Sequence, residues 1–289
     1  MSSESITQQM TRFYESLSRE LKSGKINLPP FPEIAIRVRN VLEDPDSDID
    51  SIVKILKLDP ALSARVLQMA NSANMSKGID SPISDLKVAV SRVGLKVVRN
   101  AAMALAMQQI YQSSTTPASI KNFLDSLWLH SVDVAALSYV LAKNLSKLSP
   151  DEALLAGLLH DVGKLLILNR SEFYPDILAD SRALEKIMNK WSPYLSGNVI
   201  KSWGLGKELS KVAKEHTILD RNPGPDTDLT DIVMLANLIS QRNVINFNKP
   251  EDCIHTSALP RLKKTPDEFM NIVDEIYEEA KFLNRSLME

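Results

Sequence analysis

Glycine is scarce in this chain: 9 of its 289 residues, about half the frequency usual in proteins. Leucine and alanine, both strong helix formers, number 38 and 22. Strand-rich sandwiches and Rossmann-type sheets need turn glycines that are not there, so an all-α fold is expected. The apolar spacing agrees, with a 3.6-residue period in segment after segment and no convincing strand.

Helix punctuation sets the expected organisation. Asp48 and Asp59 supply N-caps, Pro60 follows Asp59 at the first helical position, and a further helix is expected over Asp85–Val93. Ser149-Pro150-Asp151-Glu152 and Thr265-Pro266-Asp267-Glu268 read as capping boxes. The second opens an amphipathic helix carrying Phe269, Ile272, Val273, Ile276, Ala280 and Leu283 on one stripe. The polar stretch Gln112–Pro117 is the expected boundary between two helical parts. Four units follow: an N-terminal helix (1–27), an N-terminal helical part (28–111), a second helical part (117–241), and a C-terminal loop and amphipathic helix (242–289). Within 117–241, helices are expected over 118–128, 131–146, 150–159, 192–203, 205–216 and 229–241.

Charge and cysteine usage exclude several classes. Lysine and arginine total 34 against 36 acidic residues, a net charge of −2, so no global positive field draws nucleic acid or an anionic membrane. Arg92, Lys96 and Arg99, spaced i, i+4, i+7, form a short basic stripe, read as a solvated face. A lone cysteine, Cys253, excludes an internal disulfide and a CxxC knuckle. The N-terminus lacks the apolar core of a signal peptide, and the longest apolar runs span seven residues, far short of the roughly 20 that cross a bilayer. A cytoplasmic, bacterial protein is expected.

Chemistry concentrates on the histidines, of which there are four: His130, His160, His216 and His255. His160 is followed by Asp161-Val162-Gly163-Lys164 and preceded by the apolar run Ala153–Leu159. Adjacent side chains on a helix diverge by about 100°, so His160 and Asp161 face one point only where the helix ends, an ending assigned here to Gly163. An imidazole nitrogen and a carboxylate oxygen then suit a borderline or hard cation, with Lys164 nearby as a candidate ligand-binding charge for phosphate. His255 has no arguable partner.

These phrases carry a family resemblance. Leu28-Pro29, Pro32-Glu33, Asp59-Pro60-Ala61-Leu62-Ser63-Ala64-Arg65, Ala70-Asn71-Ser72, Val90-Ser91-Arg92-Val93-Gly94-Leu95, Leu127-Trp128-Leu129-His130-Ser131, His160-Asp161-Val162-Gly163-Lys164, Trp203-Gly204-Leu205 and Leu235-Ala236-Asn237 resemble an HDOD protein. That family is a bacterial branch of the HD superfamily of all-helical, metal-dependent phosphohydrolases. The resemblance implies a multi-helix HD-like bundle with an N-terminal helical subdomain. It also implies a metal-ligand set, vestigial here, of His130, His160, Asp161, His216 and, at the late aspartate position, Asn237. Ser192-Pro193-Tyr194 stands where many relatives place a histidine, and the Gly-Tyr-Pro phrase of the cyclic-dinucleotide phosphodiesterases is absent. An amide in place of a carboxylate removes a negative charge facing a dication. The expected cofactor is therefore none, or at most one weakly held divalent metal. The expected function is a stand-alone signalling or regulatory module that binds an unknown signalling protein or a small phosphorylated ligand. A metal-dependent phosphohydrolase acting on a nucleotide or phosphate ester is the alternative. A nucleic-acid-binding regulator ranks third.

Overall fold

The computed structural model describes residues 5–23, 30–44, 46–71, 82–113, 117–241 and 256–288. Cys253 and His255 lie outside these, as does Ser72 of the Asn71-Ser72 phrase. Among the described residues there is no strand. The helices are α1 (Ile6–Ser23), α2 (Glu33–Glu43), α3 (Ile49–Leu58), α4 (Pro60–Ala70), α5 (Leu86–Val93) and α6 (Leu95–Tyr111). They continue with α7 (Ala118–Leu145), α8 (Pro150–Leu159), α9 (Gly163–Ser171), α10 (Pro175–Ala179), α11 (Ser181–Ser202), α12 (Lys207–Glu215) and α13 (Leu229–Ser240). Two more, α14 (Ala258–Arg261) and α15 (Pro266–Met288), close the described chain.

Local chemistry explains the helix starts. Asp48, Asp59 and Asp85 accept from the backbone amides of Ser51, Leu62 and Val88. Thr265 and Glu268 form the reciprocal capping box, at 2.9 and 3.2 Å. Ser149 forms no such box. Its acidic followers are engaged on α6 instead: Glu152 accepts from Arg99 at 2.9 Å, and Asp151 from Asn100 at 3.2 Å. The basic stripe does not form either, because Gly94 (φ 86°) separates α5, with Arg92, from α6, with Lys96 and Arg99.

Two apolar cores share a wall. The smaller joins α2, α3, α4 and α5 to Ala101, Ala102 and Leu105 of α6. The larger takes Met103, Ala104, Ala106, Met107 and Tyr111 from the same helix and adds α7 to α13 and the C-terminal stripe of Phe269, Val273, Ile276 and Ala280. A helical stretch apolar around its whole circumference is buried on every side, and α6 shows it from Ala101 to Met107.

Two expectations fail for identifiable reasons. The helices placed at 118–128 and 131–146 are one 28-residue helix, α7. Nothing between Trp128 and Ser131 breaks it, since the Ser131 hydroxyl donates to Leu127 O at 2.9 Å and stays within the helix. The helix placed at 192–203 begins at Ser181, capped by Asp180 bonds to the amides of Arg182 and Ala183, and carries Pro193 in its interior. Pro193, near the start of the expected helix, is here a mid-helix residue, and α9 and α10 ahead of it carry weak periodic signals.

Candidate metal centre

The centre forms where α7 and α8 touch closely. Gly157 makes that possible: a Cβ there would lie 2.7–2.9 Å from Ser138 Oγ, Val134 O and Ala135 Cα. His130 stands one turn before Val134 on α7, and His160 stands three residues past Gly157. The contact therefore sets the two rings at 5.1 Å between centroids.

The turn after α8 delivers the pair. The helix stops at Leu159, residues 160–162 form a turn, and Gly163 opens α9. Gly163 thus starts a helix rather than ending one, and its φ is not positive. Its smallness serves another contact. A Cβ on Gly163 would sit 2.4 Å from the Ser196 backbone nitrogen and 2.7 Å from Ser192 O, so α9 and α11 meet backbone to backbone. Gly163 N donates to Ser196 Oγ at 2.8 Å. That seam brings Ser192 to donate to Asp161 Oδ1 at 3.2 Å. Gly197 accommodates the stem of Lys214 and accepts, through its carbonyl, from Ser210, holding α12 against α11. His216 caps the end of α12 and enters the cluster from that side.

Besides Ser192, four side chains converge on Asp161. His160 Nε2 lies 3.2 Å from Asp161 Oδ2, His130 Nε2 lies 3.7 Å from the same oxygen, and His216 Nε2 lies 3.8 Å from Oδ1. The Lys164 ammonium forms an ion pair with Oδ2. His130 and His160 are 3.2 Å apart at Nε2, and the His160 and His216 rings meet edge to face at 4.9 Å. His160, Asp161 and His216 are buried, while His130 and Lys164 reach the surface in part.

Hydrogen bonding fixes the ring tautomers. His160 Nδ1 donates to Gly157 O at 2.6 Å, and His216 Nδ1 donates to Ala213 O at 3.1 Å, because a carbonyl can only accept. In the neutral ring each Nε2 is then a bare lone pair facing a carboxylate. Burial pushes His216 down to about 4, and His130 down to about 3 with the neighbouring His160 acting in the same direction. For Asp161, burial alone would raise the carboxyl; the Lys164 ammonium and His160 outweigh it and hold it well below the usual carboxylate range. The pocket is rich in acceptors, and the Lys164 ammonium is paired with Asp161 inside it.

Asn237 is buried on α13; its side-chain carbonyl accepts from Gln241 at 3.2 Å, and its backbone carbonyl accepts from Ser240, whose Oγ is 3.3 Å from His130 Nδ1. His216, one of the expected ligand set, lies inside the cluster at the end of α12. Gly157, Ser192 and Ser240 carried no signal of their own, since each acts through a contact with a distant helix.

His130 Nε2, His160 Nε2 and Asp161 Oδ2 form a triangle with sides of 3.2, 3.2 and 3.7 Å. Ligand atoms about 2.0–2.2 Å from one dication stand roughly 3–3.5 Å from each other, so the residues present fit one metal ion. They form the one such group among the described residues. A second ion finds no second carboxylate there.

An all-helical bundle with a buried His-Asp pair and histidines from two further helices is an HD-type domain. The chain belongs to the HDOD domain family, whose pattern matches residues 28–219. It is similar in structure to a Shewanella amazonensis protein that carries the provisional name of a metal-dependent phosphohydrolase. That likeness has a TM-score of 0.73 and 25% identity, over 96% of this chain and 99% of the other. An HDOD domain protein of unknown function from Geobacter sulfurreducens matches with a TM-score of 0.67 and 22% identity, over 96% and 98% of the two chains. An uncharacterized protein of Treponema pallidum is 24% identical over 229 residues, 73% of this chain. The chain spans 42% of that relative's length. No described helix is long and apolar enough to cross a membrane.

Proposed function

We propose that this chain is a regulatory HDOD module that binds a signalling protein or a small phosphorylated ligand, and that its HD cluster does not work as a two-metal hydrolytic centre. One observation carries the reading: both oxygens of Asp161 are engaged from within, Oδ2 by Lys164 and Oδ1 by Ser192. Two-metal hydrolysis needs ions about 3.5–4 Å apart that share anionic ligands and activate a water. Here a single carboxylate faces three imidazoles, and the late-aspartate position holds an amide turned to Gln241.

The surrounding residues do defined work without a metal. Lys164 keeps Asp161 ionised, burial keeps His130 and His216 neutral, and the Gly157 and Ala213 carbonyls orient the rings. A dication held by His130, His160 and Asp161 would supply Lewis-acid polarisation of a phosphoryl oxygen. That triangle and the Shewanella relative's name support the second reading, a metal-dependent phosphohydrolase.

Incubation with cyclic dinucleotides and nucleotide phosphates, with manganese supplied, separates the two. The regulatory reading expects negligible hydrolysis. Turnover near about 1 s⁻¹, the low end for enzymes, that disappears in Asp161→Ala would overturn it.

A further inference from the structure

We propose that Lys164 is a built-in competitor for the cation site: its ammonium and a divalent ion are alternative occupants beside Asp161, and metal enters only when Lys164 swings out. The inference rests on the regulatory reading of the same cluster, and it concerns occupancy rather than turnover. Its starting point is an imbalance of donors. The Nδ1 atoms of His160 and His216 both donate to helix carbonyls, so in the neutral rings the Nε2 atoms that face Asp161 are lone pairs. Asp161 adds acceptor oxygens, one of which already takes the Ser192 hydroxyl.

Bare acceptors packed this closely repel one another unless a cation sits among them, and low local polarity strengthens both effects. Lys164 is placed for that task. It follows Asp161 by three residues across the turn into α9 and pairs with Oδ2, the oxygen that the triangle with His130 and His160 also uses. Its side chain keeps 23% of its surface exposed, so an outward path to solvent is open, whereas Asp161 itself is closed off. A dication on the triangle would meet a full positive charge at ligand distance. Two cations cannot both hold Oδ2 in that space without mutual repulsion. Removing the ammonium should therefore uncover a metal site whose geometry already exists.

The test is metal binding by Lys164→Met and Lys164→Gln, measured with manganese alone by titration calorimetry and by melting temperature. Wild-type protein should bind manganese at least tenfold more weakly than either variant, and chelator should leave its melting temperature unchanged. Both variants should melt lower than wild type without metal and recover when manganese is saturating. If a variant folds only with manganese present, the ion has replaced the ammonium, as proposed. Affinity unchanged in the variants, variants that manganese does not restore, or wild-type protein that binds manganese as tightly as they do would each overturn the proposal. Hydrolysis by wild-type protein would sink the regulatory reading and leave these affinities as a separate result.

Discussion

His130 and His160 stand on different helices, 30 residues apart in sequence, yet their Nε2 atoms are 3.2 Å from each other. The distance is a consequence of Gly157, which removes the side chain that would hold α8 off the backbone of α7.

Gly157→Ala should therefore damage more than local packing. The added methyl meets backbone atoms of Val134 and Ala135 as well as the Ser138 hydroxyl, and overpacking of this kind costs about 1–3 kcal/mol. For a chain of this size the melting temperature should fall by several degrees. An unchanged melting temperature would contradict the close-contact account.

Asp161→Ala leaves Lys164 and the Ser192 hydroxyl without their partner. Denaturant unfolding should show a loss of about 1–3 kcal/mol, the same with chelator as without it. In a double-mutant cycle with Lys164→Met, the two losses should be clearly non-additive, since one ion pair is broken by either change. Additive losses would mean that the pair contributes nothing.

Acid should weaken the fold through the histidines. Folded values of about 3 for His130 and about 4 for His216 lie below the ordinary value near 6.5. The unfolded chain then binds more protons than the folded one in that interval, so stability is complete above about pH 6.5 and is lost as pH falls toward 4. Asp161, held low, adds a further loss at more acid pH, where the unfolded carboxyl takes up its proton while the folded carboxylate stays ionised. Melting temperatures should decline from pH 6.5 to 4, while the ring resonances of His130 and His216 stay unshifted from pH 7.5 to 5.5. A His216 ring titrating near 6.5 in the folded protein would refute this.

Much of this site was legible from local sequence, for physical reasons. Asp48 and Asp59 cap helices through bonds to residues three positions on, so composition and spacing suffice to find them. The His-Asp phrase likewise announces itself, being a polar pair at the end of an apolar run. What escaped depends on approach between distant segments. Gly157 and Gly163 look alike as helix breakers, but both are contact glycines, one toward α7 and one toward α11. Ser192 looked like the absence of a histidine, yet its hydroxyl holds Asp161 in place. The true start of α11 escaped because it is set by the Asp180 cap, twelve residues ahead of the expected start at 192, and by packing that no local period reports.

The most direct test of the central claim, that this HD cluster is satisfied by its own residues and not by a pair of metals, is the metal content of the protein. It is measured by elemental mass spectrometry after purification without added metal and after desalting. With Lys164 and Ser192 engaging both oxygens of Asp161, well below one equivalent of manganese, iron or zinc per chain is expected. Two equivalents retained per chain, lost together in Asp161→Ala, would contradict the account.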